Sequence, residues 1–221
     1  MAEKNHRSLP FQVEDWAETE YAAAFEKQRS YVQDRILGKR KDTLVLTEHL
    51  PVYTLGVRKG AESHLIWDDA KRAEKGITLH KSNRGGDITY HGPGQLTAYP
   101  IFSLQKLRDL HAYIRLIEDV LIQIVSKFGL EATRREGKTG IWIEKRKIAA
   151  IGVAVKSWVS YHGFALNVNN DLEPFSGIVP CGIEDGSVTS LKAELGSNLD
   201  MDKVKEVVIQ SVDDILGNDL L

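Results

Sequence analysis

The chain has 221 residues, with 29 basic against 31 acidic side chains and a single cysteine. That length supports one large domain, expected over residues 1–221, with its own core and no disulfide or metal staple. The balanced charge gives no field that selects nucleic acid or a membrane surface, one thiol excludes an intrachain disulfide and a cysteine zinc cluster, and no apolar run nears the roughly 20 residues of a membrane span.

A lone cysteine suits a reducing compartment. The start, Met1 to His6, has no apolar signal core, and Glu14, Asp15 and Glu18 follow. A cytoplasmic protein is expected.

A helix is predicted from about Asp15 to Leu37, where Tyr21, Ala24, Phe25, Val32 and Ile36 fall at helical spacing and Gly38 is a stop signal. Thr43 to Thr47 reads as a buried strand, Pro51 to Gly56 as a loop with a short extended piece, and Gly76 to His80 as a short strand. Leu96 to Phe102 reads as another strand, and its Pro100 predicts an edge or an end. Asp109 can cap a helix whose stripe is Ile114, Ile117, Leu121, Ile124, Val125 and Phe128, closed by Gly129. Ile141 to Val168 reads as a strand meander with turns at Glu144–Lys147 and near Lys156–Ser157; Asn167 to Phe175 reads as loop. A last helix is predicted from Asp202 to Leu216, with Val204, Val207, Val208, Val212 and Ile215 inward. There is no repeat or interdomain linker. The irregular order of helices and strands predicts an α+β fold, a mixed β-sheet flanked by helices.

Four glycines crowd the segment Arg84-Gly85-Gly86-Asp87-Ile88-Thr89-Tyr90-His91-Gly92-Pro93-Gly94-Gln95-Leu96. Glycine at that density suits main chain that bends sharply or comes close to another group. With Arg84, Thr89, His91 and Gln95 interleaved, the segment reads as a loop–strand–loop that lays amides and polar side chains against a ligand. Cys181 stands between Pro180 and Gly182, a tight-turn setting for a thiol. Only the thiolate is a good nucleophile, so a nearby cation or base is required. His91, His162 and the lysines are the candidates. Lys147 opens Ile148 to Val155, where Ala149, Ala150, Gly152 and Ala154 leave room for a ligand or another backbone. His162-Gly163-Phe164-Ala165-Leu166-Asn167 is a third small-residue patch.

Together these segments resemble the lipoyl(octanoyl) transferases, the octanoyl transferases of lipoate biosynthesis. The likeness rests on Arg84 to Gln95, on Lys147 with Ile148 to Gly152, on His162 to Asn167, and on Pro180-Cys181-Gly182, in the family's order from about Thr43 to Leu191. Asp87 and Ile88 lie where the family varies. The resemblance implies transfer of an octanoyl or lipoyl group from acyl carrier protein to a lysine of a lipoyl domain, through an enzyme thioester. It implies Cys181 as nucleophile and Lys147 as its acid/base partner. The substrate pocket would be lined by Arg84, Gly85, Gly86, Asp87, Ile88, Thr89, Tyr90 and His91, by Ala150, Ile151 and Gly152, and by Gly163, Phe164 and Ala165. The implied fold is that of biotin and lipoate protein ligases. The implied acceptors are the lipoyl domains of 2-oxoacid dehydrogenase complexes and the glycine cleavage H protein, met by a monomer. Thioester-to-amide transfer runs downhill, so no cofactor or metal is expected.

Acidic carrier proteins could dock on Lys145-Arg146 or Arg134-Arg135. Two rival readings stand beside this one, and the first of them shares the fold. An ATP-dependent lipoate protein ligase would need phosphate and magnesium groups and no nucleophilic thiol. A non-catalytic acyl- or lipoyl-domain-binding protein would have no use for both Lys147 and Cys181.

Overall fold

The computed structural model describes residues 9–179 and 187–220; Cys181 lies outside them. In chain order the elements are β1 (Gln12–Thr19), α1 (Tyr21–Ile36), β2 (Thr43–His49), β3 (Val52–Leu55), α2 (Asp69–Glu74), β4 (Thr78–Lys81), β5 (Ile88–His91), β6 (Gln95–Ile101) and α3 (Leu110–Lys127). They continue with β7 (Thr133–Arg135), β8 (Lys138–Ile143), β9 (Arg146–Lys156), β10 (Val159–Asn167), β11 (Ser187–Val188), α4 (Leu191–Leu195) and α5 (Met201–Asp219). Among the described residues the large sheet runs β1-β2-β6-β10-β9-β8-β7, with β11 beside β9, and a small sheet runs β4-β3-β5. Both sheets are mixed: β1 lies parallel to β2 and β4 parallel to β3, while β6, β10 and β9 are antiparallel neighbours.

The strand period of two sorts the large sheet into two faces. Leu44, Leu46, Leu96 and Ala98 turn toward α3 and α5, where Ile117, Leu121, Val125, Val204, Val208 and Val212 are fully buried. Val45, Tyr99 and Ile101 turn the other way, against Ala24 and Val32 of α1. Each such buried aliphatic side chain contributes about 2 kcal/mol. The small sheet has its own cluster around Tyr53, Leu55, Ile88, Tyr90, Phe175 and Ile178. Asp109 caps α3 as expected, accepting from Ala112 N at 3.0 Å.

One sequence expectation is corrected, and another is settled between its two alternatives. The first helix begins at Tyr21, not near Asp15, because residues 12–19 form β1 at the sheet edge. Of its acidic side chains Asp15 and Glu18 are exposed, as suits an edge strand, while the half-buried Glu14 takes bonds from Trp16, Tyr31 and Arg40. Pro100 does not mark an edge, since β6 sits between β2 and β10, but it does mark an end, standing one residue before the strand closes at Ile101. The β10–β6 ladder stops at Phe164↔Ala98. His162 has a left-handed φ of 55° and sends its N–H to Gln28 instead. The missing proline N–H therefore falls where no partner carbonyl is waiting.

Gly163 allows that arrangement. A Cβ there would overlap the Ala98 carbonyl oxygen and lie 2.6 Å from Pro100 Cδ. Gly163→Ala is expected to cost about 1–3 kcal/mol, the usual range for overpacking, read as a lower urea midpoint. An unchanged midpoint would show that the close approach is not required.

Candidate active site

A cavity of about 420 Å³ lies between the small sheet and the face of the large sheet that carries Tyr99, a size typical of small-molecule sites. Its floor is a row of small residues in register: Thr97 opposite Ala165, Ala165 opposite Ala150, and Gly163 opposite Gly152. Larger side chains there would fill the space. Arg84, Gly86, Asp87, Ile88, Thr89 and His91 line it from the other side, and Ile151, Phe164 and Lys147 complete the sequence-derived set.

Two expected lining residues are elsewhere. Tyr90 follows the strand alternation away from the cavity and packs edge-on to Tyr53 and Phe175. Gly85 is used in binding the loop to β9, its N–H donating to Val153 O at 2.9 Å. The space that Gly152 leaves on β9 is accordingly taken by backbone, since a Cβ would stand 2.9 Å from Gly85 O. Tyr21, Arg58, His64, Thr97, Tyr99, Gly137, Lys138, Thr139 and Val179 also line the cavity. They are scattered over six segments, and no local pattern announces them.

Lys147 reaches the cavity through a β-bulge. Trp142 pairs with Lys147, yet Ile141 pairs with Ala149, so β9 carries one extra residue there. Ile148 and Ala149 both enter the main core. In a regular strand Lys147 and Ala150 would face opposite sides; the extra residue puts them on one side. Gly140 (φ 123°) gives the lysine its path, because a Cβ would stand 2.8 Å from Lys147 Cε. Its N–H donates to the buried Glu118 at 3.1 Å. The ammonium lies over the Trp142 ring, 5.1 Å from the centroid. The described segments on either side of Cys181 both meet this site: Val179 lines the cavity, and β11 lies beside β9 with Val188 paired to Lys147.

Arg84 is buried and its guanidinium is engaged with Thr54 O and Oγ1 and with the carbonyls of Gly85 and Asp87. It braces the loop as well as lining the cavity. His91 and Gln95 belong to a polar chain. His91 Nδ1 meets Gln95 Oε1 at 2.7 Å, Gln95 donates to Asn167, and Asn167 donates to Thr189 O. Thr189 N donates in turn to Lys147 O at 2.9 Å. These motif residues thus tie three strands to the backbone of Lys147.

Of the basic clusters, Arg134 pairs with Glu118 and Asp119, and Arg146 with Glu144 and Glu194. Both arginines are largely neutralised within the fold. Among the described residues no three His, Cys, Asp or Glu side chains gather as a metal site, and no helix is long and apolar enough to cross a membrane.

A family model described as the lipoyl protein ligase A/B catalytic domain matches residues 20–213. The octanoyltransferase of Rubrobacter xylanophilus is 45% identical over 201 residues, 90% of each chain. A bi-partite lipoate protein ligase from Thermoplasma acidophilum superposes with a TM-score of 0.71 at 18% identity, over 95% of this chain and 85% of that one. Biotin protein ligase from Aquifex aeolicus gives 0.53 at 10% identity, over 96% and 71%. Identities this low speak for the fold alone, and they bear out the mixed-sheet α+β expectation.

Burial sets the acid stability. It lowers His49 to about 4 and His162 to about 3, and holds His91 well below the usual histidine range. Unfolded histidines titrate near 6.5, so below that pH the unfolded chain binds more protons. The stabilisation is full above about pH 6.5 and is lost as pH falls toward the folded values. His49 and His162 together can account for close to 3 kcal/mol per pH unit between about pH 6 and 4. Urea unfolding at pH 7 and pH 5 should show a drop of several kcal/mol; equal stability at both would contradict neutral burial.

Proposed function

The chain belongs to the lipoyl protein ligase A/B catalytic-domain family, and we infer that it is an acyltransferase that moves an octanoyl group in lipoate biosynthesis. Its partners are an acyl donor and a lipoyl-domain acceptor. In the finer reading the donor is octanoyl-acyl carrier protein. The acceptors are lysines on the lipoyl domains of 2-oxoacid dehydrogenase complexes and on the glycine cleavage H protein. The protein works as a cytoplasmic monomer, with residues 1–221 forming one catalytic domain.

We propose that the group passes through a thioester on Cys181, with Lys147 as acid and base. The observation that carries this reading is the aim of Lys147 into a cavity floored by small residues, next to both described flanks of Cys181. In the first half-reaction the Cys181 thiolate attacks the donor thioester; the new C–S bond forms as the carrier's C–S bond breaks. Lys147 gives a proton to the leaving thiolate. In the second half the free amine of the acceptor lysine attacks the enzyme thioester; the C–N bond forms as the C–S bond to Cys181 breaks, and one amine proton passes by way of neutral Lys147 to the departing sulfur, leaving the amide and a free Cys181 thiol. Splitting the transfer lets two protein substrates use one site in turn, which gives ping-pong kinetics.

The test is transfer from octanoyl carrier protein to a lipoyl domain without ATP. The protein should turn over unaided, Cys181→Ser should lose at least about 1,000-fold, and Lys147→Ala about 100-fold, the usual weight of a positioned acid/base. Near wild-type turnover by Cys181→Ser, or a requirement for ATP, would overturn the reading. Lys147→Ala should also move the pH midpoint of Cys181 alkylation by iodoacetamide upward; an unmoved midpoint would separate the two side chains.

A further inference from the structure

Three histidines line the cavity, and they are not alike. His91 and His162 are buried, and His49 stands behind them with both ring nitrogens bonded, to Thr19 O and Tyr99 Oη. Burial keeps His49, His91 and His162 neutral at ordinary pH. His64 ends the short 3-10 turn Ala61–His64, and its side chain is 34% exposed. Its Nδ1 lies 2.8 Å from Asp87 Oδ2. The Asp87 carboxyl is fully buried; its other oxygen accepts from Ile88 N at 2.7 Å, and Arg58 Nη1 stands 3.5 Å from Oδ2. A carboxylate there accepts from Nδ1–H, the tautomer in which Nε2 carries the lone pair, and the residue lines the cavity.

We propose that His64, oriented by Asp87, takes the proton from the acceptor's lysine ammonium as that lysine enters the cavity. Asp87 is the positioning residue. This rests on the acyl-enzyme reading above.

The protons balance as follows. A lysine ammonium cannot attack; one proton goes to His64 Nε2, and the free amine adds to the thioester carbonyl. As the C–S bond breaks, the second nitrogen-bound proton passes by way of Lys147 to the departing sulfur. The products are the amide, a free thiol and an imidazolium that returns its proton to water. The charged groups near His64 are the buried Asp87 carboxylate and Arg58; Lys138 and Lys147 line the same cavity, and Glu62 of the same turn is paired with Lys81. The His64–Asp87 pairing also holds the turn to the loop, so the test must separate chemistry from bracing.

His64→Asn does so: its amide N–H can replace Nδ1–H toward Asp87, but it offers no base. The enzyme is loaded from octanoyl carrier protein, freed of donor, and chased with a lipoyl domain in a single turnover. Loading should stay within about twofold, while the chase slows by roughly 100-fold and its pH–rate profile loses one limb. An unchanged chase rate or profile in His64→Asn overturns the proposal. So does a pattern in which His64→Ala is slow and His64→Asn restores the rate, since that marks a brace. Should wild-type protein fail to load, the acyl-enzyme reading falls. The steady-state pH–rate profiles of wild type and His64→Asn then decide the role of His64 alone, an identical shape overturning it.

Discussion

The site depends on the way the loop Arg84–Asp87 is held between two sheets. Arg84 buries its guanidinium and directs its donors to Thr54 of the small sheet and to carbonyls of its own loop. Gly85 then bonds to β9 of the large sheet. A buried cation is costly unless its donors are met, and here meeting them fixes the loop. The spacing of the two sheets follows, and with it the cavity. Loss of the guanidinium would leave several buried acceptors unpaired and unlink the roof from the floor.

Within that frame the chemistry is a matter of aim. One extra residue in β9 brings Lys147 to the side of Ala150 and Gly152. Glu118, reaching from α3, holds Gly140 where the lysine chain crosses it. The chain from His91 to Thr189 anchors the backbone of Lys147 from the other direction. The cavity wall combines charged groups, Lys147, Lys138, Arg58, Arg84 and the Asp87–His64 pair, with the rings of Tyr21, Tyr99, His91 and His162.

Much of this was legible from residue pattern. The α3 stripe, the β8–β10 meander and the last helix follow from apolar period, and the small-residue patches mark the cavity floor because a floor needs small residues. What escaped were features set by contacts far apart in the chain. Strand β1 is acidic and lies at an edge, so it carries no buried alternation to read. Pro100 stands at the end of an interior strand, past the point where the ladder with β10 stops and opposite the left-handed His162, 62 positions on. The bulge under Lys147 is a mismatch between two strands, invisible in either. His91 and Gln95 looked like ligand groups because polar residues amid glycines suggest one, yet they are mainly bonded to each other and to the scaffold. His64 stands in a stretch without motif, and only the fold brings it to Asp87.

The most direct measurement is the intact mass of the protein after incubation with octanoyl carrier protein, followed by peptide mapping. The account requires a single octanoyl adduct on the peptide containing Cys181, labile to hydroxylamine and removed by a lipoyl domain. Unmodified protein that nevertheless transfers the group, or an adduct on another residue, would contradict it.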